Sequence, residues 1–190
     1  MRSFDNPQST AGGGAFISDV ETIRKRAREH MERGPVTPNY PEGRLAICEL
    51  LNQALATELV CVLRYKRHYF SARGSAGRLA AQEFLEHAQE EQQHADRIAE
   101  RIAQLGGEPD LNPATLLARS HSDYDANDEL RAMLEADLFA ERIAIESYRE
   151  MVRYLGDRDP TSRRMMEEIL AVEEEHADDL LDLLQGLEPS

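Results

Sequence analysis

Apolar residues recur every three or four positions from about Pro41 almost to the end of the chain, and alternating stretches are nearly absent. That spacing puts one apolar stripe on each of a series of helices. The first long helix is expected from about Pro41 to Ala72, with Leu51, Leu55, Val62 and Tyr69 among its apolar positions, and Arg73-Gly74-Ser75 breaks it. The second runs from about Ala76 to Leu105 and stops at Gly106-Gly107, a left-handed cap signal. The third spans about Asn127 to Leu155, closed by Gly156. The fourth opens with Asp159 as N-cap and Pro160 at the first helical position and continues to about Leu184. Between the second and third helices, Glu108 to Asp125 holds two prolines and a short apolar Leu116-Leu117, which suits a crossover containing one helical turn. Two tight connections and one long one predict an all-α, antiparallel four-helix bundle with a long crossover.

The start of the chain is different. Residues 1 to 17 are Gly-, Ser- and Asn-rich without periodicity and read as a disordered tail. Ser18 with Glu21 forms a capping-box pattern, so a short helix is expected from Asp19 to about Arg33, ended by Gly34-Pro35. The chain therefore divides into an N-terminal extension, 1–40, and a bundle, 41–187. The extension holds the one basic island, Arg24 to Arg28. A solvated helix face is its expected use.

Charge narrows the ligands. With 22 Lys+Arg against 36 Asp+Glu the formal charge is −14, which disfavours DNA and favours cations. There is no uncharged run of about 20 apolar residues, so no membrane-spanning helix is expected, and the N-terminus lacks the apolar core of a secretion signal. A cytoplasmic location follows as the expectation. Cys48 and Cys61, 13 residues apart on one helix, sit about 20 Å from each other, beyond disulfide reach. Both read as small buried hydrophobes, although Cys61 lies one turn after an acid.

A bundle interior should be apolar, so acids at core-facing positions are the anomalies. The second helix places Glu91 and His94 three residues apart, and the fourth places Glu173 and His176 in the same relation; each pair shares a helix face and can serve one centre. The first helix contributes Glu58, within Ala54-Leu55-Ala56-Thr57-Glu58-Leu59-Val60. The third offers Glu141, within Leu138-Phe139-Ala140-Glu141-Arg142-Ile143. A Glu three residues before a His arises often by accident in so acidic a chain, but the internal repeat does not. Glu58 to Glu91 is 33 residues and Glu141 to Glu173 is 32, and each starting Glu has a tyrosine seven residues on, Tyr65 and Tyr148. Two hairpins with the same polar insertions argue for pseudo-twofold halves around a shared site.

One Glu from each of two helices, with Glu-x-x-His from the other two, is the ligand pattern of ferritin-like di-iron proteins. The segments Leu55-Ala56-Thr57-Glu58-Leu59, Glu91-Gln92-Gln93-His94-Ala95-Asp96-Arg97 and Glu173-Glu174-Glu175-His176 closely resemble bacterioferritin and the Dps-like proteins with a bacterioferritin-type centre. The resemblance covers the bundle and not the first 40 residues. It implies that Glu91 and Glu173 bridge two irons, that Glu58 and His94 complete one and Glu141 and His176 the other, and that Tyr65 and Tyr148 stand beside them as hydrogen-bonding or electron-donating groups. Without a thiolate, mixed carboxylate and imidazole donors suit iron, with manganese as the alternative.

Two departures refine the resemblance. Haem-binding bacterioferritins carry a methionine directly after the first motif's Glu, where this chain has Gln92, so haem is not expected. Only 14 residues follow His176, too few for the fifth helix of bacterioferritin subunits. With the N-terminal helix and longer crossover, this favours a dodecameric shell over a 24-mer.

The remaining polar residues take plainer readings: surface or hydrogen-bonded structural roles for His30, His68, His87 and His121, and for the Glu83/Glu86/Glu90 and Asp178/Asp179/Asp182 clusters either a solvated face or the lining of a cage interior or iron entry pore. Met165-Met166 reads as core or interface. The expected function is iron storage and detoxification: a ferroxidase centre oxidising Fe(II) with dioxygen or hydrogen peroxide in a self-assembled shell. The rivals are a di-manganese catalase or small-molecule di-iron oxidase on the same bundle, and a nucleoid-binding protein using the basic helix, which the overall charge opposes.

Overall fold

The computed structural model describes residues 18–40 and 43–187. The expected tail at residues 1–17 and the Pro41 start of the first long helix lie outside the described residues. The chain divides into two compact units, Met1–Asn39 and Tyr40–Ser190. In the first, α1 runs Val20–Arg28 and a 3-10 turn follows at Met31–Arg33. The expected cap is corrected: Asp19, not Ser18, accepts from Thr22 N at 3.0 Å and from its hydroxyl at 2.7 Å. The helix also ends earlier than Arg33, because His30 takes a left-handed conformation, φ 55°.

The second unit is all-helical among the described residues: α2 Arg44–Ser71, α3 Gly74–Gln104, α4 Leu116–Arg119, α5 Leu130–Leu155 and α6 Pro160–Gly186. The four long helices and the crossover turn are the expected ones, with ends displaced by a few residues. One such shift is at α5, which starts at Leu130 rather than Asn127 because Glu129 caps it, accepting from Ala132 N at 2.9 Å. Asp159 caps α6 as its sequence predicts, accepting from Ser162 N at 3.1 Å. At the end of α3, Gly106 adopts φ 72° and Gly107 N reaches back to Ile102 O at 2.9 Å. Gly107 has a second reason to be glycine, since a Cβ there would lie 2.7 Å from Cys48 Sγ.

The crossover runs beside α2 from near its start to its end. Asn52 Oδ1 accepts from Asp110 N at 2.8 Å, Thr57 Oγ1 from His121 N at 2.9 Å, and Arg67 donates to Ala126 O at 3.2 Å. It therefore delivers α5 to the far end of α2, and α5 returns antiparallel to it. A buried network fixes that junction: Arg64 Nε donates to Asp137 Oδ1 at 2.7 Å, and His68 Nδ1 lies 2.8 Å from Asp137 Oδ2. At the opposite end Arg101, on α3, grips Asp159 and Ser162 at the start of α6, at 2.8 Å each.

Two apolar clusters fill the bundle. One gathers Ile47, Leu51, Leu55, Ile98, Met151 and Ile169; the other gathers Phe84, Met133, Leu134, Leu180 and Leu184. Burying each Leu or Ile contributes about 1.5–3 kcal/mol. Along every long helix the two clusters are separated by one short interval, and in that interval lie Glu58, Glu91, His94, Glu141, Glu173 and His176. By length and composition alone α2 could cross a membrane, but most of its apolar stretch is buried inside the bundle, as in a core helix.

Candidate metal centre

All six side chains predicted as ligands converge between the two apolar clusters, and each is at most 4% exposed. Their donor atoms form two overlapping sets, each within 4.8 Å: Glu58, Glu91, His94 and Glu173, and Glu91, Glu141, Glu173 and His176. The overlap consists of Glu91 and Glu173, the first residue of each Glu-x-x-His pair. His94 Nδ1 lies 3.0 Å from Glu173 Oε1 and 3.5 Å from Glu58 Oε2. His176 Nδ1 lies 3.4 Å from Glu173 Oε2 and 3.7 Å from Glu91 Oε1.

The tyrosines explain how two of the carboxylates are held. Tyr65 donates to Glu141 Oε1, and Tyr148 donates to Glu58 Oε1, so each hairpin's tyrosine grips the other hairpin's glutamate. Each glutamate is left with its Oε2 free to face inward. Seven inward atoms of the cluster have no hydrogen-bond partner: Glu58 Oε2, Glu91 Oε1, Glu141 Oε2, both oxygens of Glu173, and Nδ1 of both histidines. An unsatisfied buried polar group costs about 1–3 kcal/mol, more if charged. A fold that concentrates seven of them at one point is arranged around positive charge.

The titration behaviour says the same. Burial, reinforced by the charges of Glu91 and Glu173, holds the carboxyls of Glu58 and Glu141 well above the usual range. Burial also opposes charge on Glu91, but Glu58 and the two histidines beside it outweigh that and hold its carboxyl well below the usual range. Burial disfavours imidazolium at His176 and His94, yet Glu173 and the neighbouring carboxylates prevail: His176 is pushed up to about 12 and His94 is likewise raised. Without cations, protons take over the compensating charge. Four carboxylates match two divalent cations, so metal binding would release those protons.

Two residues escaped the sequence reading. Glu90 Oε2 sits 2.8 Å from His176 Nε2 and orients that ring from outside, the role a metal-ligating histidine requires of a neighbour. His87 is not a peripheral histidine: it is 2% exposed, stacks on the His176 ring with centroids 4.0 Å apart, and meets the Tyr65 hydroxyl at 3.2 Å. Its signal was its position one turn before Glu91, on the same helix face. His68 is the structural histidine expected, paired with Asp137, and His121 is exposed beside Gln53 at 3.2 Å. Cys61 is buried but stands outside both ligand sets, its Sγ accepting from Arg64 Nη2 at 3.4 Å. Met166 lies in the core.

A family model described as the Ferritin-like domain matches residues 48–189, which takes in α2 beyond its first turn, the other three long helices and the whole cluster. This chain is a member of the ferritin-like family. Among its ferritin-like relatives, a bacterioferritin of Brucella melitensis biotype 1 is 35% identical over 149 residues, 75% of this chain and 87% of the relative. A nutrient stress-induced DNA-binding protein of Synechococcus sp. is 36% identical over 137 residues, 69% of this chain and 76% of the relative. Among solved ferritin-like structures, the dodecameric thioferritin of Bacteroides fragilis, a bacterioferritin-related protein, superimposes with a TM-score of 0.73 at 32% identity, covering 76% of this chain and 87% of that one.

Proposed function

We propose that this protein takes up Fe(II) and oxidises it at the six-residue centre, as an iron-storing and detoxifying protein that assembles into a closed homo-oligomeric shell. The seven unpartnered buried atoms in two overlapping donor sets carry this reading. In it, Glu91 and Glu173 are shared between two irons, Glu58 and His94 belong to one, and Glu141 and His176 to the other. Carboxylate and imidazole donors without a thiolate suit iron or manganese and stabilise the oxidised state. A pair of Fe(II) ions supplies two electrons, enough with two protons to convert hydrogen peroxide to two waters, or dioxygen to hydrogen peroxide.

The chain's own residues prepare that step. Tyr65 and Tyr148 hold one oxygen of Glu141 and of Glu58, so the second oxygen of each is presented inward without a search over rotamers. Glu90 fixes the His176 ring with Nδ1 inward. The apolar clusters on either side keep bulk water out and strengthen every charge interaction in the layer. Gln92 donates to Asp96 at 2.9 Å and offers no thioether, so haem has no part in the proposal. Similarity to a dodecameric relative supports a dodecameric shell, and a cytoplasmic setting fits the role.

The test is iron oxidation by Glu91→Ala and His176→Ala proteins, each compared with wild type by the growth of ferric absorbance. Both should fall to the buffer rate. Wild-type rates in both would remove the site assignment.

A further inference from the structure

Outside the six-residue cluster, two buried histidines among the described residues have an Nε2 without a hydrogen-bond partner, His68 and His87, and the His87 ring is 2% exposed. His87 Nε2 points at two carboxylates, 3.3 Å from Glu83 Oε1 and 3.8 Å from Asp179 Oδ2. The other ring nitrogen decides what Nε2 carries. Nδ1 faces the Tyr65 hydroxyl at 3.2 Å, and that hydroxyl gives its proton to Glu141, so Nδ1 is the donor and Nε2 presents its lone pair. Three acceptors thus converge with no donor among them.

We propose that Glu83, His87 and Asp179 form a third metal site, taking one divalent transition-metal ion beside the paired centre. One imidazole and two carboxylates are the donor set that suits Fe(II), Mn(II), Co(II) or Zn(II), and their donor atoms lie within 4.8 Å of one another. The site is reachable from solvent. Glu83 and Asp179, each partly exposed, also line a groove of about 370 Å³ together with Asp182, so an ion arrives with part of its water shell and trades it for protein donors. It also touches the centre, through the His87 ring stacked on His176.

The site breaks the internal repeat. The 82-residue offset that carries Glu91 to Glu173 and His94 to His176 carries Glu83 to Met165 and His87 to Ile169, and it carries Arg97 to Asp179. The paired centre keeps its symmetry, while Glu83 and His87 of α3 and Asp179 of α6 supply three donors where the repeat-related positions, Met165 and Ile169 of α6 and Arg97 of α3, hold a thioether, an aliphatic chain and a cation. The inference stands on these donors and does not depend on the oxidation chemistry proposed above.

Crystals of the full chain soaked anaerobically in Co(II) should show anomalous density at the paired centre and a third peak among Glu83, His87 and Asp179. Equilibrium dialysis should give three Co(II) per chain. The Glu83→Gln/Asp179→Asn protein should lose the third peak and bind two. Density at the pair with none at the third position, or a third peak undiminished in the double variant, overturns the proposal. A third peak with the pair empty supports it and overturns the reading of the centre instead, and no ion at any position overturns both. Should the double variant fail to fold, the wild-type soak alone decides.

Discussion

Glu58→Gln separates a ligand from a structural residue, because the two roles predict opposite patterns. In the metal-free protein, the Glu58 carboxyl is buried near Glu91 and Glu173, and its charge is disfavoured. Glutamine keeps an oxygen to accept from Tyr148 and removes that charge, so metal-free stability should change by less than about 1 kcal/mol in either direction. In the loaded protein, the same change leaves a buried cation short of one counter-charge. Removing one partner of a buried pair costs about 3–5 kcal/mol, so affinity should fall at least about 100-fold. At a metal concentration 100 times the wild-type Kd, binding stabilises by about 2.7 kcal/mol per ion. That corresponds to roughly 5–11 °C in Tm for a domain of this size. A 100-fold weaker site leaves only about 0.4 kcal/mol under the same conditions. Paired melts with and without Mn(II), followed by calorimetry, read both quantities. A variant that melts more than about 10 °C lower when metal-free, yet keeps the full Mn(II) shift, would refute the reasoning.

Other expectations are more compact. Asp137→Ala strands the buried Arg64 guanidinium, and the loss of about 3–5 kcal/mol should appear as a lower denaturation midpoint with iron oxidation retained in the folded fraction; an unchanged midpoint would contradict the network. Tyr65→Phe and Tyr148→Phe each release one carboxylate oxygen, and each should weaken metal binding by about 1.5–3 kcal/mol, measured by competition with a chelator. His176, pushed up to about 12, stabilises the metal-free fold fully below its unfolded value near 6.5, and that contribution fades as pH rises towards 12. The same protons compete with metal, so affinity should rise with pH and binding should release protons, measurable as a buffer-dependent heat; no release would contradict the assignment. Finally, a gel-shift with the full chain at moderate salt should show no DNA complex, since the net charge is −14. A salt-sensitive shift lost on removing Arg24 to Arg28 would reverse that.

The convergence of the six side chains was legible because burial of an acid conflicts with helical patterning. Glu58 and Glu141 stand inside apolar runs, and the repeat linking them to Glu91 and Glu173 is independent of composition. Caps with side-chain donors in sequence, such as Asp159, were equally readable. What periodicity does not report is the angular position of a polar residue next to an apolar stripe. His87 and Glu90 flank Glu91 on one helix, yet one is buried against Tyr65 and the other reaches across to His176 from the surface. Their partners lie on other helices, and no spacing along α3 encodes them. The start of α1 was misread for a related reason, since Ser18 and Asp19 are both good caps and only geometry chooses between them.

The most direct test of the central claim is aerobic Fe(II) addition to metal-free protein, following ferric absorbance against the ratio of iron to chain. The account predicts a fast phase that saturates at two irons per chain and disappears when Glu91 or His176 is replaced by alanine. Oxidation no faster than in buffer, by a folded and assembled protein, would contradict it.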